Sequence, residues 1–318
     1  MQKAFVLGAG LGTRLKSLTT TLPKPLIPFF QRPLITFAFD HLISLGMREF
    51  IVNTHHLPDR YDQAFPDQKY RNCPIRFRHE PVLLETAGGI GNVADLLGND
   101  PCIVYNGDIL TDLPLENALK THQESGNAVT LVLRSSEDAR HIAWNPESGK
   151  ITDIRNLLET GDSGTHQFTG IYLIEPSFVS KIEPGVKMSV IPHFLDLIRD
   201  GGAIGGVVAD DGNWWDLGDR DSYLEAHAAA GADDAFPRYD NGDPDGTWRQ
   251  CIHPGATVAA DAEITDSAIG AGAEIESGAI VRNSIVWPGG RVAAGAHISR
   301  CIVRTGETAG GTLSDLDV

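Results

Sequence analysis

LGAGLGTRLKSLTTTLPKPL, residues 7–26, decides how this chain is read. It follows a short apolar run, Ala4 to Leu7, that reads as a buried first strand. Gly8, Gly10 and Gly12 then alternate with small or apolar residues, so the backbone can turn sharply and bring its N–H groups close to a ligand. Arg14 and Lys24 add fixed positive charge, and Pro23 and Pro25 stiffen the backbone around Lys24. The first 39 residues hold five basic side chains (Lys3, Arg14, Lys16, Lys24, Arg32) and no acidic one, in a protein of net charge −16. A positive region in an acidic chain, set among glycines, points to an anionic ligand and to phosphate in particular. Two common phosphate loops do not fit. Counted from Gly8, the dinucleotide pattern and the P-loop both need glycine where Thr13 stands.

Beyond the loop, apolar residues alternate between helical and strand periods. Pro33 to Gly46 reads as a helix with Leu34, Phe37, Ala38, Leu42 and Leu45 on one face. Strands are expected over Phe50–Asn53, Ile75–Arg78, Cys102–Tyr105, Val129–Leu133 and Ile204–Val208. Helices are expected from Thr86, over Pro114–Glu124, over Val190–Arg199 and over Asp219–Ala230, the last with Asp219 as its cap. Ala143–Thr169 is less regular and reads as an insertion. The alternation argues for an α/β fold built on a doubly wound, mostly parallel sheet. In such sheets ligands sit at the carboxyl ends of strands, where Gly8–Arg14 and Asn106–Asp108 both fall.

A second architecture follows a polar stretch, residues 231–247, that reads as a linker. Ile252, Ile269, Val286 and Val303 recur every 17 residues, and Val258, Ile275, Val292 and Ile264, Val281, Ile298 share the period. Steps of six, six and five within a turn put one inward aliphatic on each of three short strands, the pattern of a triangular β-solenoid. Thr305–Val318 loses the period and reads as a cap or frayed tail. The expected domains are therefore 1–230, a linker over 231–247, and a solenoid with its tail over 248–318.

Composition sets the class. The chain is 42% hydrophobic and 21% charged, which suits a globular protein with an ample core. No apolar run reaches the roughly 18–20 residues of a membrane helix, and the start has too short an apolar run for a signal peptide. Four scattered cysteines without a C-x-x-C pair suit inert thiols in the cytoplasm. The acidic balance argues against nucleic acid as a partner.

Taken whole, Gly10-Leu-Gly-Thr-Arg-Leu15 followed by Pro23-Lys-Pro-Leu26 resembles the fingerprint of the sugar-1-phosphate nucleotidyltransferases, with Gly8 in place of a usual alanine. The repeats resemble the hexapeptide left-handed β-helix. The resemblance implies a Rossmann-like nucleotidyltransferase core. It also implies a reaction of nucleoside triphosphate with sugar-1-phosphate that gives nucleotide-sugar and pyrophosphate. By resemblance, Leu7, Gly8, Gly10, Gly12 and Thr13 would cradle the nucleotide, Arg14 would hold the β and γ phosphates, and Lys24 would sit near the reacting centre. Asp108 and Asp216 would bind Mg²⁺, with Asp108 counted also among the catalytic groups. Glu80 and Gly88 would face the base, and Asn106, Thr169 and Gly170 the sugar. Many members carry a Glu-Lys-Pro lysine that touches the sugar phosphate. This chain has Ile154-Arg155-Asn156-Leu157 instead, and Lys187 is the substitute considered.

The motifs Leu84-Glu-Thr-Ala-Gly-Gly-Ile90 and Trp214-Trp-Asp-Leu-Gly218 are most similar to the N-acetylmuramate-1-phosphate uridylyltransferase branch. They favour uridylyl transfer to an amino-sugar-1-phosphate. Mannose-1-phosphate guanylyl transfer and glucose-1-phosphate thymidylyl or uridylyl transfer remain alternatives. A catalytically silent, nucleotide-sugar-sensing subunit would be expected to lose charge from the site, whereas Arg14, Lys24, Asp108 and Asp216 are all present. The repeats are expected to serve stability and self-association.

Overall fold

The computed structural model describes residues 1–136, 139–162, 164–239, 242–243 and 246–318, with Lys16 described by its backbone alone. By packing, the chain forms two compact units. One is Met1–Leu11 with Phe37–Trp214; the other is Gly12–Thr36 with Trp215–Val318.

The first unit is built on a ten-stranded sheet. In chain order its elements are β1 (Lys3–Leu7), α1 (Ile35–Ser44), β2 (Glu49–Thr54), β3 (Lys69–Tyr70), β4 (Cys73–His79), α2 (Glu85–Asn92), β5 (Cys102–Asn106), α3 (Glu116–Ser125), β6 (Val129–Ser135), β7 (Ile142–Asn145), β8 (Lys150–Ile154), β9 (His166–Ile174), α4 (Ile191–Arg199) and β10 (Ile204–Val208). The strand order is β7-β8-β10-β6-β9-β5-β1-β2-β4-β3. β1 pairs in parallel with β2 on one side and β5 on the other, so Leu7 lies between Asn53 and Asn106. The order of strands reverses there, and a crevice opens where connections leave in opposite directions. Gly8 leads directly out of that point.

The sheet is parallel over β5-β1-β2-β4, where strands alternate with helices. It changes beyond β5, because β9 runs antiparallel to both β5 and β6. The stretch read as an insertion is part of this sheet. β7 and β8 form an antiparallel hairpin that pairs onward to β10 and β9. Its signal was weak because the edge hairpin is short and bulged between Ala143 and Trp144, which breaks strict alternation. Val104, Leu131, Tyr172, Ile174, Ile90 and Phe194 are fully or almost fully buried in one core that joins sheet and helices.

In the second unit, α5 (Arg220–Ala232) starts at Asp219, whose side chain accepts from Ser222 N in a reciprocal capping box. The solenoid stacks three parallel sheets at 17-residue spacing, for example Val258–Ile275–Val292–Ala309. Ile264–Val281–Ile298–Leu313 and Ile269–Val286–Val303 make the other two ladders. Thr305–Val318 is a further rung, not a frayed tail. Thr308–Ala309 and Thr312–Ser314 pair onto the rung before, and Asp317 bridges to Ile302. The period disappears from the sequence because Ala309 replaces a larger aliphatic and Leu313 follows Ile298 by fifteen residues in place of seventeen.

The described part of the 231–247 linker is packed, with Phe236 buried edge-on against Trp215 and Trp248; residues 240–241 and 244–245 lie outside the described set. Gly12–Thr36 packs within this unit as well. Gln31 Nε2 donates to the carbonyls of Gln250 and Ile269 at 2.7 and 3.1 Å. His227 Nε2 accepts from Phe30 N at 3.1 Å while Nδ1 bonds the Tyr223 carbonyl at 2.9 Å, which leaves one ring proton and no charge.

Burial lowers the His227 pKa to about 4, against the opposing pull of the Tyr223 carbonyl. An unfolded histidine takes a proton near pH 6.5, so between pH 6.5 and 4 the unfolded chain binds a proton that the folded one refuses. Stability should therefore be full above pH 6.5 and fall as the pH drops through that window, by on the order of 3 kcal/mol from this one group. Urea midpoints measured from pH 7.5 to 4 should show the decline, and His227→Gln should make it shallower, with the buried His41 and His122 keeping their share. An equal slope in both proteins would contradict the assignment.

Candidate active site

Within the sheet unit, the residues around the end of β1 form a continuous hydrogen-bond chain. Gly8 N donates to Asn53 Oδ1 at 2.8 Å, and Tyr61 OH donates to the Gly8 carbonyl at 2.9 Å. Burial raises the Tyr61 pKa, with the nearby Asp108 charge adding to it, so the hydroxyl stays a donor. Asn53 Nδ2 donates in turn to Glu80 Oε1 at 2.7 Å, and Glu80 Oε2 accepts from Leu84 N at 3.0 Å. Glu80 is fully buried, and its backbone N and O are bonded to Thr54 and His55. Its work is to hold the segment after β4 against the end of β1, and its carboxylate is engaged on both oxygens. Gly88 is likewise buried, with the Val186 carbonyl close over it. Gly10 is exposed and has open space around it, so no protein neighbour explains the glycine and a ligand can approach the backbone.

At the end of β5 the Asn106 amide packs against Gly170, and Asp108 follows half-buried beyond Gly107. Thr169 differs from expectation. Its side chain is fully buried and donates to the Val132 carbonyl at 2.9 Å, while its own carbonyl accepts from Trp214 Nε1 at 2.9 Å. Both groups are engaged by the protein itself, at the point where the register of β9 against β6 shifts. Lys187 stands half-exposed with its Nζ 3.7 Å from Glu85 Oε1.

Within the second unit, Gly12 adopts φ +61° and opens a short 3-10 helix, Thr13–Thr19. A Cβ at Gly12 would meet Thr19 Cγ2 at 2.7 Å and Lys24 Cβ at 3.2 Å, so both conformation and space require glycine. Thr19 Oγ1 closes the turn by donating to the Gly12 carbonyl at 3.1 Å. Thr13 and Arg14 are then presented outward, with 64% of the Arg14 side chain exposed. Lys24 is the opposite case, only 6% exposed on the rigid Pro-Lys-Pro corner. The two cations converge on one carboxylate. Arg14 Nη2 lies 3.6 Å from Asp216 Oδ2, and Lys24 Nζ lies 3.5 Å from Asp216 Oδ1. The guanidinium lies flat against Gly218, where a Cβ would fall within 2.7 Å of its carbon.

A glycine-led turn that presents two cations beside an aspartate, on a chain whose sheet reverses order at β1, agrees with the sequence profile described as nucleotidyl transferase over residues 3–232. The chain belongs to the nucleotidyl transferase family. Residues 238–309 match the profile described as the GlmU-like C-terminal hexapeptide. The chain is 32% identical over 228 residues to the mannose-1-phosphate guanylyltransferase of Mycobacterium tuberculosis, covering 71% of this chain and 63% of that one. It is 31% identical over 233 residues to the N-acetylmuramate alpha-1-phosphate uridylyltransferase of Neisseria meningitidis, covering 72% and 99%. A Synechocystis UTP–glucose-1-phosphate uridylyltransferase matches at 28% identity over 70% of this chain and 62% of its own. The matched region thus spans under two thirds of the Mycobacterium and Synechocystis proteins. Among solved structures, HddC from Yersinia pseudotuberculosis superposes with TM-score 0.59 at 22% identity, over 71% of this chain and 98% of that one. A Bacillus anthracis chain crystallised with sucrose superposes with TM-score 0.63 at 20% identity, over 72% and 95%.

For this nucleotidyl transferase chain, the sequence expectations divide in an informative way. Gly12, Arg14, Lys24 and Asp216 are brought together in one cluster. Leu7, Gly8 and Asn106 share the strand ends of the sheet unit. Glu80 and Thr169 support those strand ends from inside, while Asn53, Tyr61 and Gly218 complete the scaffold without having been expected. Only Gly218 had a sequence signal, as the last residue of Trp-Trp-Asp-Leu-Gly. The donor chemistry fits Mg²⁺. The Asp216 carboxylate offers hard oxygens, is 40% exposed, and has contacts at 3.5–3.6 Å that are longer than charge-assisted hydrogen bonds, which leaves lone pairs for a cation. Among the described residues no three His, Cys, Asp or Glu side chains gather as a metal cage, so phosphate oxygens would have to complete a coordination shell.

Proposed function

We propose that this protein transfers a nucleotidyl group from a nucleoside triphosphate to a sugar-1-phosphate and releases pyrophosphate. The observation that carries the reading is the Arg14–Asp216–Lys24 cluster on a turn that requires Gly12. An oxygen of the sugar phosphate attacks the α-phosphorus in line, a P–O bond forms, and the bond to the β-phosphate oxygen breaks. Such transfer needs alignment and charge neutralisation more than covalent help. Arg14, exposed and loosely paired, is presented to the β and γ phosphates, and its planar fork suits several oxygens at once. Lys24 is nearly buried and held by the proline corner, so its ammonium is a fixed charge for the phosphates near the reacting centre. Gly10 and Thr13 offer backbone N–H groups, and the sugar falls to Asn106 and Gly170, with Lys187 exchanging Glu85 for the sugar phosphate.

Mg²⁺, taken by the carboxylates of Asp108 and Asp216, would supply neutralisation of the charge that develops on the leaving pyrophosphate. Activity should be lost in EDTA and restored by Mg²⁺ or Mn²⁺. Asp108→Asn should keep the parent melting curve, Asp216→Asn should melt lower because the nearly buried Lys24 loses a counter-charge, and each should lose most turnover. Full activity in excess EDTA would overturn the metal assignment.

Uridylyl transfer to an amino-sugar-1-phosphate is the preferred substrate pair. The match to the Neisseria uridylyltransferase over nearly its whole length supports it, and guanylyl transfer to mannose-1-phosphate is the alternative supported by the Mycobacterium relative. Pyrophosphate release over five triphosphates and a set of sugar-1-phosphates decides between them. No release with any pair would leave a nucleotide-sugar-binding subunit as the better reading. No helix among the described residues is long and apolar enough to cross a membrane. The four cysteines are free thiols, as suits a reducing cytoplasm.

A further inference from the structure

We infer that Asp317, in the last rung of the solenoid, is a positioning residue for the phosphate-binding turn, tying the segment that carries Arg14 to the segment that carries Asp216. The inference rests on the nucleotidyl transfer reading above.

The turn Thr13–Thr19 is a 3-10 helix of seven residues with no side-chain cap at its start. Helices of this type have poor hydrogen-bond geometry and seldom run past three or four residues, so one of this length needs support from outside. The support comes from the far end of the chain. Ser17 Oγ donates to Asp317 Oδ2 at 3.2 Å. Arg304 Nη1 donates to the Ser17 carbonyl at 3.4 Å and to Thr20 Oγ1 at 3.3 Å. The other oxygen of Asp317 accepts from Arg220 Nε at 2.8 Å. Arg220 is the first residue of α5, directly after the Asp219 cap and Gly218, and so close along the chain to Asp216.

One carboxylate therefore grips both segments, one on each oxygen. Asp317 is suited to that task because it is fixed itself. Its side chain is only 15% exposed, its backbone bridges to Ile302, and Val318 N bonds the Ile302 carbonyl at 2.9 Å. The Arg14–Asp216 approach of 3.6 Å joins the same two segments that Asp317 holds. The loose pairing of Arg14 and Asp216 cannot set that distance alone, since an exposed ion pair at this separation is weak.

Asp315 is the natural comparison. It belongs to the same rung and carries the same charge, but it pairs chiefly with Arg300, reaches Arg220 only at 4.0 Å and makes no bond to Ser17. In the full chain, Asp317→Ala should raise KM for the preferred triphosphate about tenfold and lower kcat several-fold, since misplacing reacting groups by about 1 Å costs up to 10²-fold. Asp317→Asn should recover part of the loss, because the amide can still accept from Arg220 and pair with Ser17. Asp315→Ala should keep the parent constants. Parent constants in Asp317→Ala, or an equal kinetic loss in Asp315→Ala in step with melting temperature, would overturn the inference. Should Asp317→Ala fail to fold, Ser17→Ala cuts the same tie from the other end; a KM raised about threefold supports the inference and an unchanged KM overturns it. A parent protein that releases no pyrophosphate would instead overturn the nucleotidyl transfer reading. Hydrogen exchange then decides the positional claim: the Leu15 amide, bonded to the Gly12 carbonyl, should exchange at least tenfold faster in Asp317→Ala than in Asp315→Ala, and equal rates overturn it.

Discussion

Replacing Arg14 with alanine is expected to lower the rate of pyrophosphate release about 10²–10³-fold, the loss seen when a donor aimed at developing charge is removed. Stability should change by less than about 0.5 kcal/mol, as for surface substitutions that break no special feature. The contrast follows from geometry. The Arg14 side chain is 64% exposed and lies 3.6 Å from Asp216, an exposed pair of little worth to the fold. The same guanidinium lies on Gly218 and beside the Asp219 cap, whose carboxylate it helps to hold below the usual range, so it is oriented without being buried. Arg14→Lys should recover only part of the rate, because a point charge cannot bond several phosphate oxygens as a planar fork does. Near-parent release by Arg14→Ala, with a normal melting curve, would remove this residue from the site.

A chain that ends at residue 235 should lose activity by more than about 10²-fold even if its sheet stays folded. Sequence periodicity alone assigns the repeats to stability and self-association, and on that basis the truncated chain would keep its chemistry. The packing of Gly12–Thr36 argues otherwise. Gln31 N bonds the Trp248 carbonyl at 3.1 Å, Gln31 Nε2 bonds Gln250 and Ile269, and Ser17 bonds Asp317. α5 leans on the repeats as well, since Trp287 Nε1 donates to Tyr223 OH at 3.2 Å in a fully buried contact. Removal of the solenoid strips these partners from the stretch that carries Arg14 and Lys24. Hydrogen exchange should then remain slow at Val6 and Val104 and become fast at Leu15 and Ile27. Parent turnover per folded molecule in the truncated chain would restore a purely architectural role for the repeats.

Much of this fold is legible in the residues because its causes are local. The period of Leu34, Phe37, Ala38 and Leu42 is that of a helix with one buried face, and all four are buried in the structure. The 17-residue recurrence of aliphatics specifies the stacking of rungs, since each inward side chain needs a like neighbour above and below. Asp219 followed by Ser222 is a cap on chemical grounds alone. The turn at Gly12 is legible for the same reason. Gly12 must take a left-handed conformation, and the prolines around Lys24 fix their own dihedrals.

What only the tertiary structure decided is where polar groups find partners. Glu80 and Thr169 stand in stretches that resemble ligand-contacting segments, and their side chains could as well face a base or a sugar. Folding places both in the interior, where an unpaired carboxylate or hydroxyl is costly, and Asn53, the Leu84 amide and the Val132 carbonyl satisfy them there. Asn53 and Tyr61 have no motif at all, yet they set the backbone of Gly8. The Ser17–Asp317 bond is the limiting case, its ends 300 positions apart in the sequence. No local pattern encodes such a pair, because each residue alone is an ordinary surface serine or aspartate. The two meet only once the solenoid and the Gly12–Thr36 segment have packed together.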